Sequence, residues 1–362
     1  MKRKIGQSRP GLANLAISGV STEYANRWQR DVLTSRAAEI VERSAEPNQF
    51  GLESLKQAIR AAYGLPANRE IVISLGASGG FRLICEMLIA GRYEAEIVIE
   101  SPVYEPLRAI PERLGAKLRF ARRAGGVRDI AGRVTKDTVA IVLSNLHNPT
   151  GHWLGYEELA QLANELEGIG SDALVVVDET FLDIGPQPGT SAAAIHPRIV
   201  TTSSLSKAHG LPALRCGWVT ADLSVLPNFV EDSVLFQNIG GKLDEVLGAM
   251  AIGQIADFRQ AARQHLDRNR ERMAKWLAEM ANSGLIEPQE LPPGCIVFPR
   301  VVAPSSTAGL VDNLDEQFGV LVAPGCFFGD AYDNHIRIGF GGDHENLERG
   351  LSQLAKGLAD VA

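Results

Sequence analysis

Leu174-Val175-Val176-Val177-Asp178-Glu179-Thr180-Phe181 is a run of four apolar residues, three of them β-branched, that stops on two carboxylates. A strand without polar alternation must be covered on both faces, as inside a parallel sheet flanked by helices. Six further runs have this character: Ile71–Leu75, Glu96–Glu100, Lys117–Phe120, Val139–Ser144, Ile199–Ser203 and Cys216–Thr220. Helical spacing falls between several of them, at Phe81–Ala90, Tyr104–Leu114 and Tyr156–Glu167. This alternation predicts an α/β fold with a mostly parallel, seven-stranded sheet between helices. From about Leu243 the pattern changes to a long helical stretch reaching Met280. Short strand-like runs follow at Cys295–Val301, Val320–Val322 and Ile336–Phe340, then a terminal helix over about Glu345–Leu358. The expected division is a large domain over 46–262 and a smaller α+β domain from 1–45 and 263–362.

A chain of 362 residues is longer than one hydrophobic core usually serves, in line with two packed regions. At 45% hydrophobic and 22% charged it has the makeup of a globular protein, not a disordered one. Acidic and basic residues are mixed and the net charge is −7, which argues against nucleic acid, whose binders concentrate a basic face. The basic clusters Lys2–Lys4 and Arg263–Arg272 read as a polar terminus and the wet face of a helix. Cys85, Cys216, Cys295 and Cys326 lack CxxC spacing and sit in apolar or Gly-rich surroundings, so buried thiols are expected, with no metal centre. No stretch approaches the roughly 18 apolar residues of a membrane helix. Leu12–Val20 is too short and too broken by polar groups for a secretion signal, so a cytoplasmic protein is expected.

Open parallel sheets bind ligands beyond the carboxyl ends of their strands, so the residues after each run are the informative ones. Leu75 is followed by Gly76-Ala77-Ser78-Gly79-Gly80, and Glu100 by Ser101-Pro102-Val103-Tyr104. Ser144 is followed by Asn145-Leu146-His147-Asn148-Pro149-Thr150-Gly151, Val177 by Asp178, and Ser203 by Ser204-Leu205-Ser206-Lys207. Polar groups at this many strand ends exceed what folding alone requires.

The last of these continues as Ser204-Leu205-Ser206-Lys207-Ala208-His209-Gly210-Leu211-Pro212-Ala213-Leu214-Arg215-Cys216-Gly217-Trp218. It resembles the lysine motif of class I/II aminotransferases, of fold type I, the aspartate aminotransferase superfamily. The resemblance runs from about Leu15 to the end of the chain, with the motifs in order. It implies pyridoxal 5′-phosphate held as a Schiff base on Lys207, which also moves the proton between substrate Cα and cofactor C4′. A lysine near a strand end can be desolvated enough to supply the neutral amine that both tasks need. Arg215, eight residues on, matches the phosphate-binding arginine, whose fork grips two oxygens at once. Ser204 and Ser206 offer hydroxyls to the same anion. The turn that opens the first helix adds Ala77 and Ser78, with free N–H groups at a helix N-terminus.

By the same resemblance Asp178 is the carboxylate that keeps the pyridine nitrogen protonated, which makes the ring an electron sink. Asn148, thirty residues earlier in Asn148-Pro149-Thr150-Gly151, donates to the 3′-oxygen, and Tyr104 stacks on the ring. Arg337, a charge inside the apolar run His335–Phe340, resembles the bidentate clamp on the substrate α-carboxylate, which Gly19 approaches from the N-terminal loop. Such a clamp sets the Cα–H bond across the ring plane and favours deprotonation over decarboxylation. A homodimer with composite active sites is also implied.

Two positions depart from the family pattern. Phe181 stands where many relatives have a tyrosine whose hydroxyl reaches the 3′-oxygen, so the imine is expected to titrate higher and to lean more on Asn148. Glu46 stands where relatives place a tyrosine that crosses to the neighbouring subunit's phosphate. A carboxylate there would repel phosphate, so this segment, with Asn48 and Gln49, is expected to fold differently. Lys242 is a candidate for an anionic or interface contact. The expected activity is amino transfer between an amino acid and a 2-oxo acid. The same residues serve equally in a decarboxylase or a C–S/β-eliminating lyase of this fold, which is the alternative; threonine-phosphate decarboxylase is one such relative. A regulatory binding module would carry a DNA-binding domain ahead of the match, for which the chain leaves no room. No residue pattern selects a particular amino acid.

Overall fold

The computed structural model describes residues 9–46, 50–237, 241–303 and 306–361. Lys2–Lys4, Asn48 and Gln49 lie outside the described residues. The strands are β1 (Ala13–Asn14), β2 (Arg69–Leu75), β3 (Glu96–Ser101), β4 (Lys117–Arg122), β5 (Thr138–Ser144), β6 (Leu174–Asp178), β7 (Ile199–Ser204) and β8 (Cys216–Asp222), followed by β9 (Ile296–Val297), β10 (Val320–Leu321), β11 (Ala323–Pro324) and β12 (Ile336–Gly339). The helices are α1 (Glu23–Ser35), α2 (Ala37–Ser44), α3 (Glu53–Ala62), α4 (Gly76–Ile89), α5 (Glu105–Arg113), α6 (Gly126–Ala131) and α7 (Tyr156–Gly168), then α8 (Phe229–Gln237), α9 (Lys242–Ile252), α10 (Ile255–Asn282), α11 (Thr307–Phe318) and α12 (His344–Asp360).

All seven apolar runs are strands of one sheet, in the order β2-β8-β7-β6-β5-β3-β4. It is parallel except for β8, which runs antiparallel to both neighbours. The period of two in a strand splits each run between two cores. Ile97, Ile99, Val142 and Val176 join Phe81, Ile84 and Leu107 of α4 and α5 on one face. Val98, Ile141, Leu143, Val175 and Val177 join Leu159, Leu162 and Leu166 of α7 on the other. Each such side chain, fully buried, is worth about 1.5–3 kcal/mol. The edge strand β4 differs from the expectation of two covered faces: Lys117, Arg119 and Arg122 face solvent. Charges at an unpaired edge discourage pairing with another chain.

A third core gathers the C-terminal elements, with Trp276, Leu314, Ile338 and Leu351 packed on Ala13 and Leu15. Helices α1 and α2 pack elsewhere, their Trp28, Val32 and Ile40 clustering with Leu55, Trp218 and Met250 beside the large sheet. Two expected elements are interrupted. The long helix from Leu243 to Met280 is broken at Gly253–Gln254 into α9 and α10. The burial pattern explains the break: α9 is buried at every position from Glu245 to Ile252, whereas α10 buries one stripe. Two such helices need different axes, and Gly253 is a weak helix former at the junction. The Cys295–Val301 run yields only β9, because Pro299 has no N–H for the ladder, and pairing resumes as single bridges at Arg300 and Val301. Cys85, Cys216 and Cys295 are buried thiols and Cys326 is half-buried; none is bridged. No helix among the described residues is long and apolar enough to cross a membrane.

At the carboxyl edge of β3 and β5 a buried polar network replaces apolar packing. Glu100 Oε1 accepts from the Ser144 hydroxyl at 3.1 Å and from the Ser144 N–H, while Oε2 meets Arg123 Nη1 at 2.6 Å. Arg123 also donates to Ser144 O at 2.8 Å and Asn145 Oδ1 at 2.9 Å. His147 Nε2 is 2.9 Å from Pro102 O and must donate there, so Nδ1, 2.6 Å from Thr150 Oγ1, accepts. Burial pushes His147 down to about 4, with the Glu100 charge opposing and Arg123 reinforcing. The folded state therefore refuses a proton that the unfolded chain takes up below about pH 6.5. Stability from this group is complete above that pH and is lost as pH falls toward 4, on the order of 3 kcal/mol in all. Urea unfolding at pH 7.5 and pH 5 is expected to show this loss, and His147→Gln, which keeps a donor for Pro102, to flatten it.

Candidate active site

Because β8 is antiparallel, its first residue lies at the edge where β2, β3, β5, β6 and β7 end; Leu75 pairs with Cys216, and Ser204 with Gly217. Arg215, just before β8, is thereby brought beside the Gly76 turn. Its guanidinium donates to Leu75 O and Pro212 O at 3.3 Å and to Ser206 Oγ at 3.4 Å, all neutral acceptors. Ala77 and Ser78 sit in the first turn of α4, whose opening N–H groups have no partner within the helix. Gly76, at φ +75°, leaves room for the arginine: a Cβ there would stand 2.5 Å from Arg215 Nη2. Gly217 is equally constrained, since its Cβ would meet Gly76 C at 2.5 Å. Neither Gly217 nor Thr202, which donates to Ala77 O at 3.0 Å, stood out in the sequence. Arg215, Ser204, Ser206, Ala77 and Ser78 thus lie around one corner of the sheet, with a cation and hydroxyl and N–H donors that suit an anion.

Asp178 ends β6 with Oδ1 accepting from Thr180 N–H at 2.9 Å and from the Thr180 hydroxyl. Burial pushes its carboxyl up against those bonds, the Glu100 charge adding to the rise. No cation pairs with it among the described residues. Burial likewise pushes Lys207 down, with Arg337 and Arg215 adding to the effect, so its neutral amine is within easier reach. Tyr104, the residue before α5, feels both Asp178 and Arg337 and is raised chiefly by burial.

Arg337 on β12 is 6% exposed and faces no carboxylate among the described residues. Nη1 donates to Asn148 Oδ1 at 3.0 Å, Nη2 donates to Ala16 O, and Nε has no partner. The cation stands 5.2 Å from the Phe328 ring centroid, and burial lowers it to about 10. With Oδ1 of Asn148 taken by Arg337, the amide's donor end is the one left for a ligand. Asn148 N–H is held by Ser144 Oγ at 3.0 Å, which joins it to Glu100. Gly19 closes over the lysine: Val20 N–H donates to Lys207 O at 3.0 Å, and a Cβ on Gly19 would stand 3.3 Å from that oxygen. The buried Cys295 thiol takes the Gly19 N–H, a contact the sequence did not signal.

Two sequence candidates remain. Lys242 donates from Nζ to Glu46 O at 2.9 Å and so ties the chain before α3 to the start of α9. Phe181 is buried in the same core as Leu146 and Cys295.

A half-buried carboxylate without a cation, a buried guanidinium without an anion, a desolvated lysine and a separate anion cradle fit one ligand with a cationic ring, a phosphate and a carbonyl. Pyridoxal phosphate has these groups. Asp178 would take its ring nitrogen, Asn148 its 3′-oxygen, Lys207 its carbonyl carbon and the Arg215 cradle its phosphate.

Known proteins agree with this composition. The family model described as aminotransferase class I and II matches residues 14–354. Capreomycidine synthase of Streptomyces vinaceus is 29% identical over 278 residues, covering 74% of this chain and 69% of its own. Histidinol-phosphate aminotransferase 1 of Nitrosococcus oceani is 26% identical over 302 residues, covering 81% and 76%. A PLP-dependent aminotransferase from Streptococcus suis superposes with a TM-score of 0.83 at 22% identity, over 97% of this chain and 94% of that one. The PLP-dependent cyclase OrfR superposes at 0.85 and 23% identity, over 99% and 96%. At these identities the structures speak for the fold, and the family match speaks for descent. The chain belongs to the class I and II aminotransferase family, whose cofactor is pyridoxal phosphate.

Proposed function

We propose that the protein moves an amino group between an amino acid and a 2-oxo acid. The observation that carries this reading is Arg337: a buried guanidinium with no carboxylate partner among the described residues, one hand on Asn148 and Nε unpartnered. It is a seat for an anion that the described residues do not supply, and the α-carboxylate of an amino acid is the matching group. Holding that carboxylate keeps it in place while the Cα–H bond is broken, which opposes decarboxylation. Bound pyridoxal phosphate supplies the electron-withdrawing ring that makes the Cα proton acidic. Asp178 holds a proton at the ring nitrogen, and Lys207 Nζ, whose neutral form burial favours, moves the proton at Cα. Gly19 and Val20 cover the lysine and help exclude water.

The relatives named as capreomycidine synthase and as a cyclase favour a second reading, in which the same deprotonation serves ring closure. Spectroscopy of half-reactions separates the two, and separates both from a decarboxylase or lyase. In a transaminase an amino acid converts the lysine-linked absorbance to the amino form of the cofactor, and a 2-oxo acid restores it. Release of a cyclised, decarboxylated or eliminated product without that conversion would overturn amino transfer.

We also infer a cytoplasmic homodimer. Four unbridged cysteines suit a reducing compartment. Val41, Leu75 and Leu243 expose apolar side chains on neighbouring elements near the β2 edge of the sheet, as do Leu235 and Phe236 on α8, which packs on β2. Sedimentation at micromolar concentration checks the assembly, and a monomer would remove it.

Two variants probe the site. Arg337→Lys keeps the charge but loses the fork, and should raise KM for amino acids about ten- to a hundredfold, as for a lost charge-assisted bond. Cofactor content should be unchanged; an unaltered KM would place the carboxylate elsewhere. Phe181→Tyr would restore the hydroxyl that many relatives direct at the 3′-oxygen, where it would stabilise the deprotonated cofactor. The pH midpoint of the cofactor absorbance should fall, and an unmoved midpoint would show that residue 181 does not reach that oxygen.

A further inference from the structure

One buried polar cluster takes no part in the chemistry above, yet it touches both catalytic segments. Asp183 lies five residues beyond Asp178 and is 6% exposed. Its Oδ2 accepts from Tyr63 Oη and from His209 Nε2, each at 2.7 Å. Its Oδ1 accepts from Gly189 N–H at 2.9 Å and lies 2.9 Å from Arg259 Nε. The Arg259 cation also stands 5.2 Å from the Tyr63 ring centroid. His209 is two residues beyond Lys207 and 4% exposed, its ring edge-on to Phe258 with centroids 6.4 Å apart. Nδ1 of His209 has no partner. The Asp183 carboxylate can only accept, so His209 Nε2 carries a proton and donates it there.

We propose that the Asp183–His209 pair is a positioning device that sets Lys207 against Asp178. One short bond joins the segment that continues β6 past Asp178 to the segment that carries the lysine. On the far side, the Lys207 backbone is tied by the Val20 N–H. The lysine is thus held between two clamps, one of them built from residues outside the site described above. Two residues of chain is a short lever, so displacement of His209 is passed on to Lys207 with little loss. Misplacement by about 1 Å is enough to impair a reacting group.

The test uses the loaded enzyme and its cofactor-free form. His209→Phe keeps an aromatic ring against Phe258 and removes the donor; His209→Gln returns an amide donor near the Nε2 position. His209→Phe should release cofactor up to about tenfold faster, the scale of one hydrogen bond, and move the pH midpoint of the lysine-linked absorbance. His209→Gln should recover most of both. Asp183→Asn should resemble His209→Phe and decides the matter if the phenylalanine variant does not fold. A His209→Phe protein that only melts lower in its cofactor-free form, with release and midpoint unchanged, overturns the proposal, as does a glutamine variant no better than phenylalanine. The inference rests on Lys207 as the cofactor lysine, which Lys207→Ala checks separately: loss of the lysine-linked absorbance upholds it, and retention removes both.

Discussion

Two opposite charges bear on the same tyrosine, Tyr104, and do not meet. Asp178 and Arg337 are both withdrawn from water, and each would be cheaper to bury if it neutralised the other. The fold keeps them apart, Asp178 at the end of β6 and Arg337 on β12 in the C-terminal sheet, with Asn148 and Lys207 between their territories. Neither has an ion-pair partner among the described residues. The free energy left unspent by this arrangement is available to a ligand that carries a cation at one end and admits an anion at the other. Much of the surrounding architecture reads as the means of holding that separation, from the buried Glu100–Arg123 pair behind Asn148 to the Gly19 loop against Lys207.

The large sheet was legible because each run is apolar on both pleat faces, a pattern few other environments produce. The site was legible for a related reason: polar residues fell at strand ends, where the parallel topology gathers them. What escaped depends on partners distant in sequence. Glu100 and Arg123 look like ordinary strand charges until the fold places them 2.6 Å apart, and Asp183 and His209 meet across 26 positions. The break at Gly253 was hidden by continuous helical spacing, since periodicity reports which faces are apolar and not that two helices need different axes. The shortness of β9 could have been read from Pro299.

Kinship and reaction are separate matters here. A family match over most of the chain and relatives named as aminotransferases, a synthase and a cyclase mean that one scaffold hosts several activities.

The reversal of β8 has a consequence of another kind. Lys207 and Arg215 stand on one short connection between β7 and β8, pinned at both ends by hydrogen-bonded strands. That connection is a ruler. On the proposed roles of Lys207 and Arg215, its length would fix the span from the carbonyl-bearing end of the cofactor to its phosphate, and an insertion or deletion between Ala208 and Leu214 would spoil two grips at once. Chemical novelty in this scaffold therefore has to enter through segments that measure nothing, such as the N-terminal loop around Gly19 and the turns beside β12.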